Sequence, residues 1–322
     1  MRLLTPRGYS VTRASLGVIF GFLNQVLTLA EKFHCKEFVF CWDSRHSYRK
    51  RIYPQYKQNR REGLTPKEVE QLKAIHKQFD ELRKQVLPRL GFRNVFCQTG
   101  YEADDLIAYI VRHYPIHFPD GGGYLVVSSD NDLWQLLRDR REGVGDSYDV
   151  HIYSARSGKV LTREQFEHEW GIKPSAWSLV KAIAGCAGDN VEGIKGVGEL
   201  TAARYVSGVL RGKKRDVIQR QYDEIVQRNV PLVDLPFRGP RPVFVPELRF
   251  EPMWTLDFMD VFGELGFGSF LKEENFERWI KAFDLQKGRD FAKFLDEERV
   301  VKGWLKEGRK NRDARVDCGY RF

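Results

Sequence analysis

Short apolar runs alternate with amphipathic stretches along the chain, and the alternation predicts a layered α/β fold. Leu16, Ile19, Phe20, Leu23, Val26, Leu27 and Ala30 share one helical face, predicting a helix over residues 15–33. Residues 38–42 and 92–96 read as strands. Ala103, Leu106, Ile107, Ile110 and Val111 then recur at i, i+3, i+4, i+7 and i+8, one buried face of a helix. Residues 124–127 read as a buried strand, 132–137 as a helix, and 148–153 with Val160 as short strands. Strands alternating with helices predict a mainly parallel sheet covered by helices.

Other segments depart from this rhythm. Thr65-Pro66-Lys67-Glu68 opens a helix with a capping box and a proline in the first turn. Its apolar positions are sparse (Val69, Leu72, Ile75, Phe79), so it lies on the surface or projects from it. After Thr162 the pattern turns helical: a capped start at Thr162, residues 174–185, the glycine-rich turn 193–198, a helix over 199–210 and a charged helix over 213–228. Residues 231–252 carry prolines at 231, 236, 240, 242, 246 and 252 and read as extended surface chain. Residues 256–271 restore the apolar periodicity, and residues 302–322 form a basic tail.

Charge changes the picture. The formal net charge is +9, which suits a polyanionic partner. Yet acids are concentrated at particular places. Glu102, Asp104 and Asp105 crowd the start of one helix. Asp43 ends the first strand, Asp130 and Asp132 follow the 124–127 strand, and Asp189 sits in Gly188-Asp-Asn-Val-Glu-Gly-Ile-Lys-Gly-Val-Gly198. A single such acid is ordinarily a turn residue or a cap, and acids in a first turn gain only ~0.3–1 kcal/mol each from the helix dipole. Three acids within four positions repel one another, and a divalent cation offsets that repulsion.

The stretch from Asp43 to Arg61 interleaves Arg45, Arg49, Lys50, Arg51, Lys57, Arg60 and Arg61 with Tyr48, Tyr53 and Tyr56, a mixture suited to phosphates and stacked bases of a single strand. The glycine hairpin before residue 199 offers free N–H groups to phosphate oxygens. The five cysteines, at 35, 41, 97, 186 and 318, form no CxxC pair and read as reduced thiols of a cytoplasmic protein. No apolar run approaches the ~18–20 residues needed to cross a bilayer, and residues 12–33 carry Arg13, Asn24, Gln25 and Glu31, which marks an amphipathic helix rather than a signal peptide.

In order, Phe40-Cys-Trp-Asp43, Tyr53-Pro-Gln-Tyr-Lys-Gln-Asn-Arg60, Glu102-Ala-Asp-Asp105, Ser128-Ser-Asp-Asn-Asp132 with Gln135-Leu-Leu, and the 188–198 segment with Thr201-Ala resemble the 5′-nuclease family. That family includes bacteriophage 5′ nucleases, the 5′-exonuclease domain of bacterial DNA polymerase I and flap endonucleases. The resemblance covers residues 17–271. It implies a PIN-like, mostly parallel sheet flanked by helices, with a helical arch and a C-terminal helix-hairpin-helix subdomain. The implied division is a nuclease domain over residues 1–165 with the arch at 45–90, the helix-hairpin-helix at 166–275 and a basic tail at 276–322.

The implied activity is 5′-3′ exonucleolytic or 5′ flap-endonucleolytic hydrolysis of DNA, or of RNA–DNA primers. Two Mg2+ ions, with Mn2+ able to substitute, would sit roughly 4 Å apart around the scissile phosphate. By resemblance, Asp43, Glu102, Asp104, Asp130, Asp132 and Asp189 hold the ions. Asp105 counts among the metal-site acids, in a role behind the direct ligands. Lys57 and Arg60 would act on the phosphate, and Tyr56 would stack on the terminal base. Arg49, Lys195, Gly196 and Gly198 would bind DNA, with K+ held by carbonyls of the hairpin. The implied setting is a monomer in a bacterial or phage-infected cytoplasm, acting on DNA with a 5′ single-stranded end or flap.

Two features depart from the family pattern. The family begins with a strand ending in a metal-binding Asp, and none precedes the first helix here. A missing central strand would leave unpaired backbone groups, so the expectation is a true start upstream of Met1. Cys186 stands where bacterial relatives often carry another Asp, and a thiol is a poor magnesium ligand. These departures keep two alternatives in view: a catalytically weakened structure-specific DNA-binding protein of the same fold, and a PIN-like ribonuclease that does not need the glycine hairpin.

Overall fold

A computed structural model describes residues 16–61, 63–114, 122–139 and 148–287. The readings made at residues 1–15 and 302–322 lie outside them. In chain order the elements are α1 (Gly17–Phe33), β1 (Phe40–Cys41), α2 (Arg49–Ile52), α3 (Pro66–Glu81), α4 (Leu87–Arg89), β2 (Val95–Phe96), α5 (Ala103–His113) and β3 (Gly123–Val127). They continue with β4 (Asp149–Ser154), β5 (Lys159–Leu161), α6 (Arg163–Trp170), α7 (Trp177–Ala184), β6 (Gly185–Cys186), β7 (Val191–Glu192), α8 (Glu199–Val206), α9 (Lys213–Val233), α10 (Thr255–Glu264) and α11 (Glu273–Phe283).

The fold is α/β, as the alternation predicts. Among the described residues the strands fall into small sheets: β1 with β2, β3–β4–β5, and β6 with β7. In the first, Phe40 and Trp42 donate to the carbonyls of Asn94 and Phe96, at 2.8 and 2.9 Å. Both strands therefore advance in the same direction. β3 runs parallel to β4, with Val126 opposite Ile152, and β5 adds antiparallel to β4.

The chain divides into two compact units. The first contains Cys41–Leu64 and Phe96–Glu247, and every predicted site residue lies in it. Its core joins the sheet to the helices through Val126, Val150, Ile152, Phe166, Trp177, Val180 and Ile183. Trp177 is closed in by Trp134, Phe166 and Trp170, at centroid distances of 5.0, 5.5 and 4.7 Å. α7 packs on both α8 and α9. Thr162 caps α6 with the predicted capping box.

Three elements differ from their predicted form. The 132–137 segment is a 3-10 turn over Asn131–Leu136, because the Asp130 carboxylate holds the Asp132 N–H at 3.1 Å and Leu137 bonds back to Trp134. The helix expected over 199–210 stops at Val206, where Gly208 turns the chain with φ +78°. The charged helix runs past Arg228 and through Pro231 to Val233. Buried Asn229 anchors it there, donating to the carbonyls of Ala182 and Glu192, both at 2.8 Å.

The second unit contains described parts of Thr5–Phe40, Thr65–Val95 and Leu248–Phe322. Thr65 caps α3 with the predicted capping box, and the first three turns of that helix are exposed. Residues 276–283, the start of the predicted tail, belong to α11, whose Phe276, Trp279 and Phe283 are buried. Trp279 is 0% exposed and meets Phe258, Phe262, Phe270 and Phe283 at 5.1–5.6 Å. Its indole N–H has no hydrogen-bond partner among the described residues. The ring is therefore held by packing alone. Trp279→Ala is expected to cost about 3–5 kcal/mol in chemical denaturation, and Trp279→Phe, which removes the orphaned donor, far less.

Candidate metal centre

Each acid reaches the centre from the end of an element. Asp43 follows β1, and its Oδ1 accepts from the Ala103 N–H at 2.8 Å, so it caps α5 from a distant part of the chain. Glu102 is the N-cap residue of α5, and Asp104 and Asp105 lie in its first turn. Asp130 follows β3, with its own N–H bonded to Ser128 Oγ at 3.1 Å. Asp132 sits in the next turn. Asp189 ends the turn after β6, and the left-handed Asn190 (φ +57°) reverses the chain behind it.

The loop after α2 grips that turn. Lys57, itself left-handed at φ +55°, donates its N–H to the Asp189 carbonyl at 2.8 Å. Asn59 bonds the Ala187 carbonyl at 2.9 Å, Arg60 Nε bonds that of Gly188 at 3.1 Å, and Asn190 Nδ2 returns to the Gln55 carbonyl at 2.9 Å. This places Lys57 Nζ 2.5 Å from Glu102 and 3.9 Å from Asp189, and brings the Arg60 guanidinium onto Asp189. Tyr56 Oη bridges Glu102 and Asp189 at 3.1 Å each.

Electrostatics link the acids into one group. Burial pushes Asp104 up to about 7, and the charges of Asp130 and Asp43 add to it. Burial likewise raises Asp132 to about 6, with Asp130 and Asp189 adding and Lys181 opposing. Glu102 behaves otherwise: burial pushes its pKa up, but Lys57 and Arg49 outweigh it and hold the carboxyl below its usual range. Asp130 faces both halves of the cluster. A set of hard carboxylate oxygens with unrelieved repulsion fits divalent cations such as Mg2+.

Two predicted residues, Arg49 and Tyr56, require correction, while Asp105 keeps the role behind the direct ligands expected of it. Arg49, expected on DNA, is 2% exposed and forms a bidentate pair with Asp105, both bonds 2.7 Å. It also donates to the Leu232 carbonyl at 2.8 Å and lies over the Phe237 ring. Asp105 is not a direct metal ligand here: Arg49 takes both its oxygens, which also accept from the N–H groups of Phe237 (2.7 Å) and Glu102 (3.0 Å). Tyr56, expected to stack on a base, is 2% exposed and turned into the centre. The interleaving of cations and tyrosines has no period that assigns an inward face, and the short helix α2 turns Arg49 inward.

Lys195, Gly196 and Gly198 are exposed while Ile194 and Val197 are buried beneath them, and Gly196 takes φ +77°. Sequence reasoning missed Lys181. This lysine of α7 is 6% exposed and places Nζ 3.0 Å from Asp132, 2.9 Å from Glu199 and 2.9 Å from Asn131 Oδ1. Its signal is a lone charge in the apolar run 177–184. Cys186 Sγ lies 4.0 Å from Asp132, and burial, then Asp132, pushes its thiol up to about 12. A further trio, Asp139, Asp149 and His151, brings its ligand atoms within 4.8 Å of one another; no three predicted carboxylates among the described residues meet that spacing.

Two outcomes follow from this geometry. Arg49→Ala strands a buried carboxylate, so it is expected to destabilise the fold by about 3–5 kcal/mol in denaturant titrations. Asp104 has a folded-state pKa near 7, above the ordinary 3.8. Its ionised form therefore opposes folding above pH 7, and the penalty fades as pH falls from 7 toward 4. With EDTA present, Asp104→Asn is expected to melt higher than wild type at pH 8, with the gap shrinking toward pH 4, as calorimetry would register.

A family model described as 5'-3' exonuclease, N-terminal resolvase-like domain, matches residues 5–171. The chain is similar to a 5'-3' exonuclease of Bacillus subtilis, 34% identical over 193 residues, covering 58% of this chain and 57% of that protein. It is similar to DNA polymerase I of Mycobacterium tuberculosis, 30% identical over 320 residues, covering 92% of this chain and 32% of the polymerase. The chain thus spans about half and a third, respectively, of the length of these relatives. In fold it is similar to the zinc-bound 5'-exonuclease of bacteriophage T5 (TM-score 0.56, 22% identity, 70% of this chain and 84% of that one). It is also similar to a T5 flap endonuclease in a complex with DNA and metal ions (TM-score 0.56, 23% identity, 67% and 80%). With more than half its length matched by the family model and its acids arranged as above, the chain belongs to the 5'-3' exonuclease family.

Proposed function

We propose that this protein is a divalent-metal-dependent 5′ nuclease that hydrolyses phosphodiester bonds in DNA carrying a 5′ single-stranded end or flap. The observation that carries the reading is that Asp43, Glu102, Asp104, Asp130, Asp132 and Asp189, from separate strand and helix ends, form one electrostatically linked group, which Lys57 and Arg60 reach at Glu102 and Asp189. The family membership supports it. Bound among these carboxylates, Mg2+ (or Mn2+) supplies a nucleophilic water at neutral pH and charge to balance a phosphorane-like transition state. Asp43, Glu102, Asp104 and Asp130 are the residues to hold it.

The remaining steps fall to the chain's own groups. Lys57 and Arg60 are 18% and 36% exposed in their side chains, and they leave Glu102 and Asp189 to meet the phosphate. Asp104 loses its proton as a cation binds, which couples ion affinity to pH. Lys195, Gly196 and Gly198, at the exposed start of α8, grip the duplex backbone, with a K+ ion as a further ligand of the hairpin. The exposed turns of α3 belong to an arch spanning residues 45–90 that admits one strand. In this scheme residues 1–165 carry the chemistry together with Asp189, and 166–275 the duplex grip, in a monomer working in a bacterial or phage-infected cytoplasm. Among the described residues no helix is long and apolar enough to cross a membrane.

A weakened DNA-binding protein remains the second reading, on the strength of Cys186 and the acids already occupied by cations. The two part on a 5′-labelled flap substrate titrated with Mg2+ or Mn2+. Metal-dependent cutting is expected, with Asp130→Ala abolishing it while duplex affinity survives. Binding without cleavage at every metal concentration would leave only the second reading.

A further inference from the structure

The proposed duplex grip uses only the hairpin at residues 195–198, yet exposed positive charge continues beyond it. Residues 200–222 carry Arg204, Arg211, Lys213, Lys214, Arg215 and Arg220 against a single acid, Asp216. Arg211 is engaged locally, on the carbonyls of Gly208 and Leu210. Arg204, Lys213, Lys214 and Arg215 are exposed, and among the described residues none of them has an ion-pair partner. Elsewhere in the same unit cations close on carboxylates, as Lys57 does on Glu102 and Arg163 on Glu167. Lys213, Lys214 and Arg215 also occupy the first turn of α9, where the helix dipole favours acids. Three cations there oppose the dipole, so the fold itself does not require them.

The arrangement is a strip. Gly196, Leu200, Arg204 and Gly208 recur at intervals of four along α8 and its flanking turns, and all are exposed. Ala202 and Ala203, on the other side of α8, are 0% exposed. One face therefore stays open from the hairpin to the far end of the helix. There the chain folds back, with the Val209 and Leu210 N–H groups both on the Arg204 carbonyl at 3.1 and 2.9 Å. Gly212, with φ +74°, then turns it into α9. The 213–215 run thus adjoins the end of α8 opposite the hairpin. α8 is eight residues long, about 12 Å at 1.5 Å per residue, which matches the major-groove width of B-DNA, also about 12 Å. Backbones separated by a groove belong to opposite strands. We infer that α8 bridges the duplex: the hairpin holds one backbone, and Arg204 with the 213–215 run holds the backbone of the other strand. This second contact rests on the proposed grip of the hairpin and extends it to a surface that fits a double helix rather than one strand. Its partners are phosphates, so it is independent of base sequence.

Anisotropy of a fluorescein-labelled blunt duplex, titrated with the full chain in EDTA over a range of NaCl, tests the bridge. Each phosphate contact adds about 0.9 to the slope of log K against log[salt]. The triple substitution Lys213→Ser, Lys214→Ser, Arg215→Ser is expected to lower the slope by about 2–3. Arg156→Ser with Lys159→Ser, exposed cations at the β4–β5 turn, is expected to leave it unchanged. Uncharged methylphosphonates then assign the strands. Neutralising one strand is expected to weaken wild type but affect the triple variant far less, and neutralising the other to do the same for Lys195→Ser. An unchanged slope in a triple variant with the wild-type circular dichroism spectrum would overturn the bridge. So would one and the same strand governing both variants, or an equal loss of affinity for single-stranded and duplex DNA. Wild type that does not bind duplex would remove the hairpin's grip and the bridge together, whereas wild type that binds and cuts a flap, with the slope unchanged in the triple variant, loses only the bridge.

Discussion

Carboxylates gathered in a half-buried space repel one another, and the architecture around this centre is organised by how that repulsion is contained. Asp104 registers it most directly, driven up to about 7 by burial and by Asp130 and Asp43. Neutralisation comes from side chains delivered by two different parts of the chain: Lys57 and Arg60 from the loop after α2, and Lys181 from α7. None of these contacts is a surface ion pair of the kind worth only ~0–1 kcal/mol, because one or both partners are largely withdrawn from water. The turns that present the acids are correspondingly tight, and both Lys57 and Asn190 adopt left-handed backbone to close the loop onto the Asp189 turn.

A second pair sets the frame for the first. Arg49 and Asp105 share two 2.7 Å bonds and are 2% and 0% exposed. Through the Leu232 carbonyl and the Phe237 N–H they also fasten the end of α9 and the segment beyond it to the start of α5. Glu102 and Asp104 precede Asp105 in the same turn, and Asp105 also accepts from the Glu102 N–H at 3.0 Å, so the ion pair anchors the start of the helix that presents them. The proline-bearing segment after α9 is thereby recruited to hold the α5 N-terminus, which explains why a charged helix with sparse apolar positions continues to Val233 rather than ending at its last arginine.

Local chemistry was legible where a rule acts over a few residues. The capping boxes at Thr65 and Thr162, the apolar face of α5 and the strand before Asp130 were all readable, because each depends on neighbours in sequence. The acids were identifiable for the same reason, since strand ends and helix starts are visible as pattern breaks. Orientation was not. Arg49 and Tyr56 belong to a run of alternating cations and aromatics with no helical or strand period long enough to assign an inward face. Only the distant Asp105, Glu102 and Asp189 decide it. Lys181 escaped for the opposite reason: its apolar neighbours placed it in the core, where a lysine has meaning only once its partners, 18 and about 50 residues away in the chain, are known.

That distinction between local and distant information separates the cations by role. A lysine that reaches solvent can exchange one oxygen partner for another at little cost, since both states are hydrated in part. A lysine sealed under α7 has no such exchange, because moving its ammonium strands Asp132 and Glu199 together without a counter-charge. The loop cations are therefore the exchangeable part of the centre and the helix cation its fixed scaffold.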